Sequence, residues 1–256
     1  MTSSAHLEAL FGIAGKRALV TGATSGIGKL IAQGLTAAGV EVWTVARNPG
    51  PDASDRDIAA DVATDEGLAA ITAALGDRPL HILVNNAGTN VDTPLEGNGR
   101  EGFSEVLGLN LTAPFVLIQA LLPNLDKAAT RTDPARVINI TSVAALDPGG
   151  LPNYSYGASK AGLAMMTRHV ARHLAKRNIT CNAIAPGLFP SRLSEQFMDF
   201  KPGDPPPPGW ASPIGARTGE MEDIAGAVIY LSSRAGAWIS GIQLPVSGGA
   251  ATIKST

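Results

Sequence analysis

Near the start of the chain an apolar run, a glycine-rich turn and a helical pattern follow one another without a gap, and that succession leaves few folds open. Lys16 to Thr21 (KRALVT) is apolar and β-branched toward its end, as a buried strand is. Thr21-Gly22-Ala23-Thr24-Ser25-Gly26-Ile27-Gly28 comes next, and Ile27 to Ala38 reads as a helix ended by Gly39. A second strand follows at Val40 to Ala46. Glycines let a backbone turn tightly and approach a pyrophosphate, whose charge meets the free N–H groups of a helix N-terminus. The spacing is G-x-x-x-G-x-G rather than G-x-G-x-x-G, so its weight comes from the strands and helix around it.

The same alternation continues to the end. Strands are expected at Arg56–Ala60, His81–Asn85, Arg136–Thr141, Ile179–Ala185 and Gln243–Val246, with helices around Gly102–Lys127, Tyr154–Lys176 and Met221–Leu231. This pattern predicts an α/β fold, a Rossmann-like doubly wound parallel sheet of about seven strands with helices on both faces. Ligands of such sheets bind beyond the C-terminal strand ends. Gly22, Asn85, Ser142 and Pro186 all fall at or just past those ends, on one rim.

With 256 residues, 45% of them hydrophobic, the chain suits one large domain over 1–256 and is not a disordered polymer. Its 20 basic and 22 acidic residues are interspersed, giving a net charge of −2 and no basic stripe for nucleic acid. No stretch of about 18 uninterrupted apolar residues suggests a membrane span, and MTSSAHLEAL has neither the basic start nor the apolar run of a secretory signal. The single cysteine, Cys181, excludes an internal disulfide, sits in a strand-like ITCNAIA and reads as an inert packed thiol, which fits a reducing, cytoplasmic compartment.

Tyr156 and Lys160 stand four apart in YSYGASK, so on a helix they share a face. A phenol, with a free pKa of about 10, is a poor acid–base group near neutrality, and a nearby ammonium favours its ionised form. Tyr154 offers a second phenol, but four residues beyond it stands Ala158, so only Tyr156 has its lysine. The Ser142 hydroxyl can donate to a substrate oxygen; Thr141 and Ser155 are the alternatives, and a local cap is the plainer reading of Ser142. This equipment moves a proton on or off a carbonyl or alcohol oxygen while a hydride moves elsewhere.

Cofactor choice is read at the end of the second strand, VEVWTVARN. An NAD enzyme commonly carries a carboxylate there; this chain has Ala46, then Arg47, which removes repulsion and supplies a guanidinium for a 2′-phosphate. NADP(H) is therefore expected, a merely solvated Arg47 being the alternative. The helical pair His169 and His173 has no third ligand at a suitable spacing, so no metal is expected.

TGATSGIG, NNAG at Asn85 to Gly88, Asn110, Ser142, YGASK, and APG at Ala185 to Gly187 occur in this order. Together they resemble the short-chain dehydrogenase/reductase family over nearly the whole chain. LLPNL, DPARVINI and APGLFPSRL are similar to its subgroup of rhamnolipid-type 3-oxoacyl reductases. The resemblance implies that Tyr156 is the general acid for ketone reduction and general base for alcohol oxidation. It implies that Lys160 lowers the phenol's pKa and binds the nicotinamide ribose, that Ser142 polarises the substrate oxygen, and that Asn110 holds a water linking Lys160 to solvent. A kink or turn role is the structural alternative for Asn110.

For the cofactor, the resemblance brings together Gly22, Thr24, Ser25, Gly26, Ile27, Gly28, Arg47, Asp61, Val62, Asn86, Ala87, Gly88, Tyr156, Lys160, Pro186, Gly187 and Ser191. Asp61 and Val62 would meet the adenine, and Ser191, in place of a usual threonine, the carboxamide. Asn85 and Asn86 would in part tie neighbouring strands. A substrate lid is implied at about 188–213, where Pro205 through Pro208 forbid a helix; an exposed polyproline loop is the alternative. Ser247 stands where the family often has an aspartate. Homotetramers assembled through the helices bearing Asn110 and Tyr156 are implied as well. The expected function is NADPH-dependent reduction of a β-ketoacyl or similar small-molecule carbonyl. An NAD-dependent secondary-alcohol or sugar dehydrogenase and a non-catalytic nucleotide-binding regulator are the alternatives.

Overall fold

Strands that are apolar at nearly every position need cover on both faces, and the central strands here are of that kind. The structure, a computed structural model, describes residues 3–91, 95, 96, 99–147, 152–201 and 203–251. Its strands are β1 Arg17–Thr21, β2 Glu41–Ala46, β3 Asp57–Ala59, β4 Ile82–Asn85, β5 Ala135–Ile140, β6 Ile179–Pro186 and β7 Gln243–Val246. They form one sheet in the order β3-β2-β1-β4-β5-β6-β7, with every pair parallel. The chain thus builds outward from β1 to β3, then crosses back to lay β4 against β1. Between the C-terminal ends of β1 and β4 lies the switch point, the place where sheets of this kind bind their ligands.

Successive side chains point to opposite faces, which sorts the core into two layers. Leu19, Leu83, Val137 and Cys181 pack with Ile71 and Leu75 of α3 (Asp65–Leu75), Leu117, Leu121 and Leu125 of α5 (Ala113–Ala128), and Leu174 of α6 (Tyr154–Leu174). Ala18, Val20, Ile82, Val84, Ile138, Ile140 and Ile184 pack with Ile31 and Leu35 of α2 (Gly26–Ala37) and Ile224, Val228 and Leu231 of α8 (Met221–Ser232). Each fully buried aliphatic side chain contributes about 1.5–3 kcal/mol. The Cys181 thiol lies in the first layer, where burial pushes its pKa up to about 12.

The expected strands are present, with ends differing by about one residue. β3 is the shortened one: it is an edge strand, and the Asp57 carboxylate at its start accepts hydrogen bonds from Thr44 Oγ1 (2.6 Å) and Ser54 Oγ (2.7 Å). Beside α3, which fills the connection that the alternation leaves between β3 and β4, two further helices appear. α1 (Ser3–Phe11) buries none of its residues, so it leaves little periodic signal. α7 (Arg192–Met198) lies inside the expected lid, started by reciprocal bonds between Ser191 and Ser194 and followed by Asp199 in the left-handed region. No helix crosses Pro205–Pro208; Pro202, in the same stretch, lies outside the described residues.

The long helical stretch Arg100–Ala128 is apolar and long enough to cross a bilayer, but Leu117, Ile118, Leu121 and Leu125 face the core. It is also not one regular helix. After α4 (Arg100–Leu107) a π-helical turn, Gly108–Thr112, precedes α5, with the Ala113 N–H bonded to the Gly108 carbonyl. Asn110 sits inside that turn and is fully buried.

At the opposite rim, Arg136 is a charged residue in the core, 1% exposed. Its Nε donates to the Leu231 carbonyl (3.1 Å) and its Nη2 to the Ser233 carbonyl (2.9 Å) and to Asp133 Oδ1 (3.2 Å). The guanidinium therefore closes the C-terminus of α8 onto β5. Arg136→Ala, which leaves two carbonyls at the end of α8 without their donor, is expected to lower stability by about 3 kcal/mol in urea denaturation. A loss below about 1 kcal/mol would show that α8 is held by its apolar face alone.

Candidate active site

The ends of β1 and β4 are stitched together by Thr21. Its hydroxyl oxygen accepts the backbone N–H groups of Asn86 (3.0 Å) and Ala87 (2.9 Å), while Asn86 Nδ2 donates to the carbonyls of Thr21 (2.8 Å) and Gly22 (3.2 Å). Gly22 has φ +68°, and a side-chain carbon there would stand 3.0 Å from the Ala87 Cα, so only glycine fits both the turn and the approach. Asn85 works across the sheet instead: its Nδ2 donates to Asn139 Oδ1 (2.8 Å), and Asn139 Nδ2 donates to Thr167 Oγ1 on α6 (2.9 Å).

Beyond Gly22 the turn leads into α2, whose N-cap, Ser25, makes no side-chain capping bond. The first-turn N–H groups are thus left to an anion. Thr24 is exposed at the tip of the turn and Ile27 packs on the α2–α8 core layer with Gly28 buried behind it. Ser191 lies against the turn, since a side-chain carbon on Gly26 would stand 2.8 Å from the Ser191 Cβ. The Ser191 hydroxyl is already the N-cap of α7, accepting the Ser194 N–H at 3.1 Å.

At the end of β2, Ala46 is buried and Arg47 is exposed, ion-paired with no carboxylate among the described residues. Past β3, Asp61 Oδ1 accepts the Ala63 N–H (2.9 Å), and Val62 is buried in the core. Past β6, Gly187 donates its N–H to the Val246 carbonyl (3.0 Å), and a side-chain carbon at Gly187 would stand 2.9 Å from the Ser247 Cβ. An uncapped helix N-terminus, together with a guanidinium where a carboxylate would repel phosphate, fits a phosphorylated dinucleotide.

Ser142 follows β5, and Tyr156 and Lys160 lie on α6. The side chains of Ser142 and Tyr156 are hydrogen-bonded, and Ser142 Oγ also accepts the Ala144 N–H at 3.1 Å. Lys160, 4% exposed, directs Nζ at the Ile140 carbonyl (2.9 Å), with the ammonium 5.6 Å from the centre of the Tyr156 ring. A side-chain carbon at Gly88 would stand 3.1 Å from Asn110 Oδ1 and 3.4 Å from Lys160 Nζ, so the three converge on a position that must stay bare.

One expectation is corrected here. The sequence suggested that Lys160 draws the phenol's pKa down. In the structure burial is the stronger influence and raises it, with the Ser142 hydrogen bond acting the other way. The same burial lowers the Lys160 pKa to about 8. Desolvation penalises both charged forms, and the lysine bonds a carbonyl rather than the phenol oxygen.

Sequence reasoning overlooked Ser159, Thr89 and Thr21. Asn110 Oδ1 accepts the Thr89 N–H (2.8 Å), and its Nδ2 donates to the Thr89 carbonyl (2.9 Å) and to Ser159 Oγ (3.0 Å). Ser159 was in view within YGASK, but helix spacing alone singles out only the tyrosine and the lysine. Tyr154 is exposed. His169 and His173 are exposed as well, and no cluster of metal-ligating side chains occurs among the described residues.

Residues 22–251 match the family model described as Enoyl-(Acyl carrier protein) reductase. The rhamnolipids biosynthesis 3-oxoacyl-[acyl-carrier-protein] reductase of Pseudomonas aeruginosa is 40% identical over 251 residues, covering 93% of this chain and 97% of the relative. Gluconate 5-dehydrogenase of Gluconobacter oxydans is 32% identical over 260 residues, covering 94% of this chain and 96% of the relative. Among solved structures, the Pseudomonas aeruginosa RhlG/NADP active-site complex superimposes with a TM-score of 0.84 at 38% identity, over 95% of this chain and 99% of the other.

The buried ammonium carries a prediction that needs no relative. The folded-state pKa of Lys160, about 8, lies below its ordinary 10.5, so folding is penalised at low pH, and the penalty disappears as pH rises from about 8 through 10.5. Lys160→Met is therefore expected to be more stable than the parent near pH 7, by up to about 3 kcal/mol, and to lose that advantage by about pH 10. Paired urea denaturations at the two pH values read the difference; equal stability at both would contradict a charge buried against a single carbonyl.

Proposed function

We infer the reaction from the site of a chain that belongs to the short-chain dehydrogenase/reductase family: it is an oxidoreductase that uses NADP(H) to reduce a ketone, a β-ketoacyl group or similar carbonyl, to a secondary alcohol. The observation that carries this reading is the half-buried Tyr156, its phenol hydrogen-bonded to Ser142, with the Lys160 ammonium beneath it. Burial keeps the phenol protonated at neutral pH, the state required of a proton donor in reduction. The name of the Pseudomonas aeruginosa relative supports a 3-oxoacyl substrate.

Bound NADPH supplies a hydride to the carbonyl carbon. Ser142 donates its hydroxyl proton in a hydrogen bond to the carbonyl oxygen, its own oxygen being held by the Ala144 N–H. As charge builds on that oxygen, Tyr156 transfers its proton to it, and a proton passed inward past Asn110 and Lys160 restores the phenol. Lys160, protonated below about pH 8, offsets the transient phenolate and holds the nicotinamide ribose. The backbone from Gly22 to Gly28 and the start of α2 hold the pyrophosphate, Arg47 the 2′-phosphate, Asp61 and Val62 the adenine side, and Asn86 to Gly88, Pro186, Gly187 and Ser191 the nicotinamide half. Residues 188–213, with α7, form the lid over the substrate.

We place the protein in the cytoplasm, a reading supported by its buried, unpaired Cys181. A homotetramer joined through α4, α5 and α6 is the assembly we favour; the exposed Phe103, Phe115 and Met165 on those helices support it.

A single substitution tests the reaction. Tyr156→Phe is expected to reduce ketone turnover by about 10²–10⁴-fold while NADPH binding, followed by its fluorescence, stays within about threefold. Turnover equal to the parent's would remove Tyr156 from the mechanism. Cofactor choice is tested separately: Arg47→Ala should raise the Kd for NADPH about 10- to 100-fold and leave that for NADH unchanged. An equal effect on both would assign the 2′-phosphate elsewhere and favour the NAD-dependent dehydrogenase reading suggested by the gluconate 5-dehydrogenase relative.

A further inference from the structure

We propose that Ser159 is a positioning residue: through Asn110 it fixes the backbone of Thr89, and with it the bare wall at Gly88 against which the Lys160 ammonium lies. The hydrogen bonds run in one direction. Ser159 Oγ donates to the Tyr156 carbonyl at 2.7 Å, which commits its proton and leaves its oxygen to accept. Asn110 Nδ2 fills that acceptor at 3.0 Å and gives its second proton to the Thr89 carbonyl at 2.9 Å. The orientation of the Asn110 amide is thereby set, and Oδ1 is turned to the Thr89 N–H at 2.8 Å.

Neither Asn110 nor Ser159 is exposed at all, so water cannot substitute for a lost partner without entering the core. Removing the Ser159 hydroxyl leaves one Asn110 N–H unpaired, and the amide then turns or shifts within the π-helical turn. Thr89 loses its two-bond clamp. Gly88, one residue earlier, is the position whose missing side chain lets Asn110 Oδ1 and Lys160 Nζ converge. Ser159 is adjacent to Lys160 in the chain, yet acts through another helix and the loop after β4.

This placement rests on the ketoreductase reading only for its kinetic consequence; the clamp itself is measurable without substrate or cofactor. Amide hydrogen exchange of Thr89 is followed by NMR in the protein alone. Ser159→Ala is expected to speed exchange at Thr89 by about tenfold or more, with the β4 amides of Leu83 and Val84 unchanged. With NADPH and a ketone, the same variant should lower kcat about tenfold and leave KM within about threefold. The Ser159→Ala/Asn110→Ala pair should be no slower than Asn110→Ala alone, because the two act in series.

Unchanged Thr89 exchange, unchanged kcat despite faster exchange, or multiplying losses in the pair would each overturn the proposal. If the alanine variant does not fold, Ser159→Cys, which keeps the volume and weakens both bonds, is read in the same way. A parent protein that reduces no ketone would count against the proposed reaction, and the exchange result would still decide the clamp.

Discussion

The architecture around the catalytic rim follows from the placing of one ammonium. Lys160 is withdrawn from water and held by the carbonyl of Ile140, the last residue of β5. A charge in that position is costly unless its neighbours are hydrogen-bonded, and the bonds among Asn110, Thr89 and Ser159 form one such set beside it. Helix α6 enters beside Ser142, so that its first turn carries Tyr156 over the strand end and its second brings Lys160 beneath. Gly88 stays bare so that Asn110 and Lys160 can close on it. The π-helical turn at Gly108–Thr112 brings Asn110 inward, where an uninterrupted α-helix would have set a different face. The arrangement destabilises the fold locally and is held in place by two apolar layers and the polar ladder from Asn85 through Asn139 to Thr167.

The same burial sets the resting protonation states of the pair. Desolvation acts oppositely on an acid that ionises to an anion and on a base that protonates to a cation: the phenol is kept neutral, and the lysine moves toward physiological pH. The phenol therefore rests in the protonated form that a proton donor requires.

Much of this was legible in the sequence because its signals are local. A parallel strand buried on both faces is a run such as ITCNAIA or ARVINI, and a tight turn is written in closely spaced glycines. Tyr156 and Lys160 declare themselves by helical spacing. What the sequence left out depends on distances between segments far apart in the chain. Lys160 could not be assigned to the Ile140 carbonyl rather than to the phenol without the spacing of α6 and β5. Ser159 looks like a small residue on the buried face of a helix until Asn110, 49 residues away, is set beside it. Arg136 has the look of an ordinary strand-end charge until α8 closes over it, and α7 is too short, and too dependent on the Ser191–Ser194 pair, to show a period.

The most direct test of the account is the near-ultraviolet absorbance of the reduced nicotinamide, followed with a 3-oxoacyl thioester and the purified protein, once with NADPH and once with NADH at equal concentration. The account predicts that NADPH is consumed at least about tenfold faster, with one equivalent of 3-hydroxyacyl product per cofactor oxidised. Equal or faster consumption of NADH, or oxidation of a polyol such as gluconate in preference to reduction of the thioester, would contradict it.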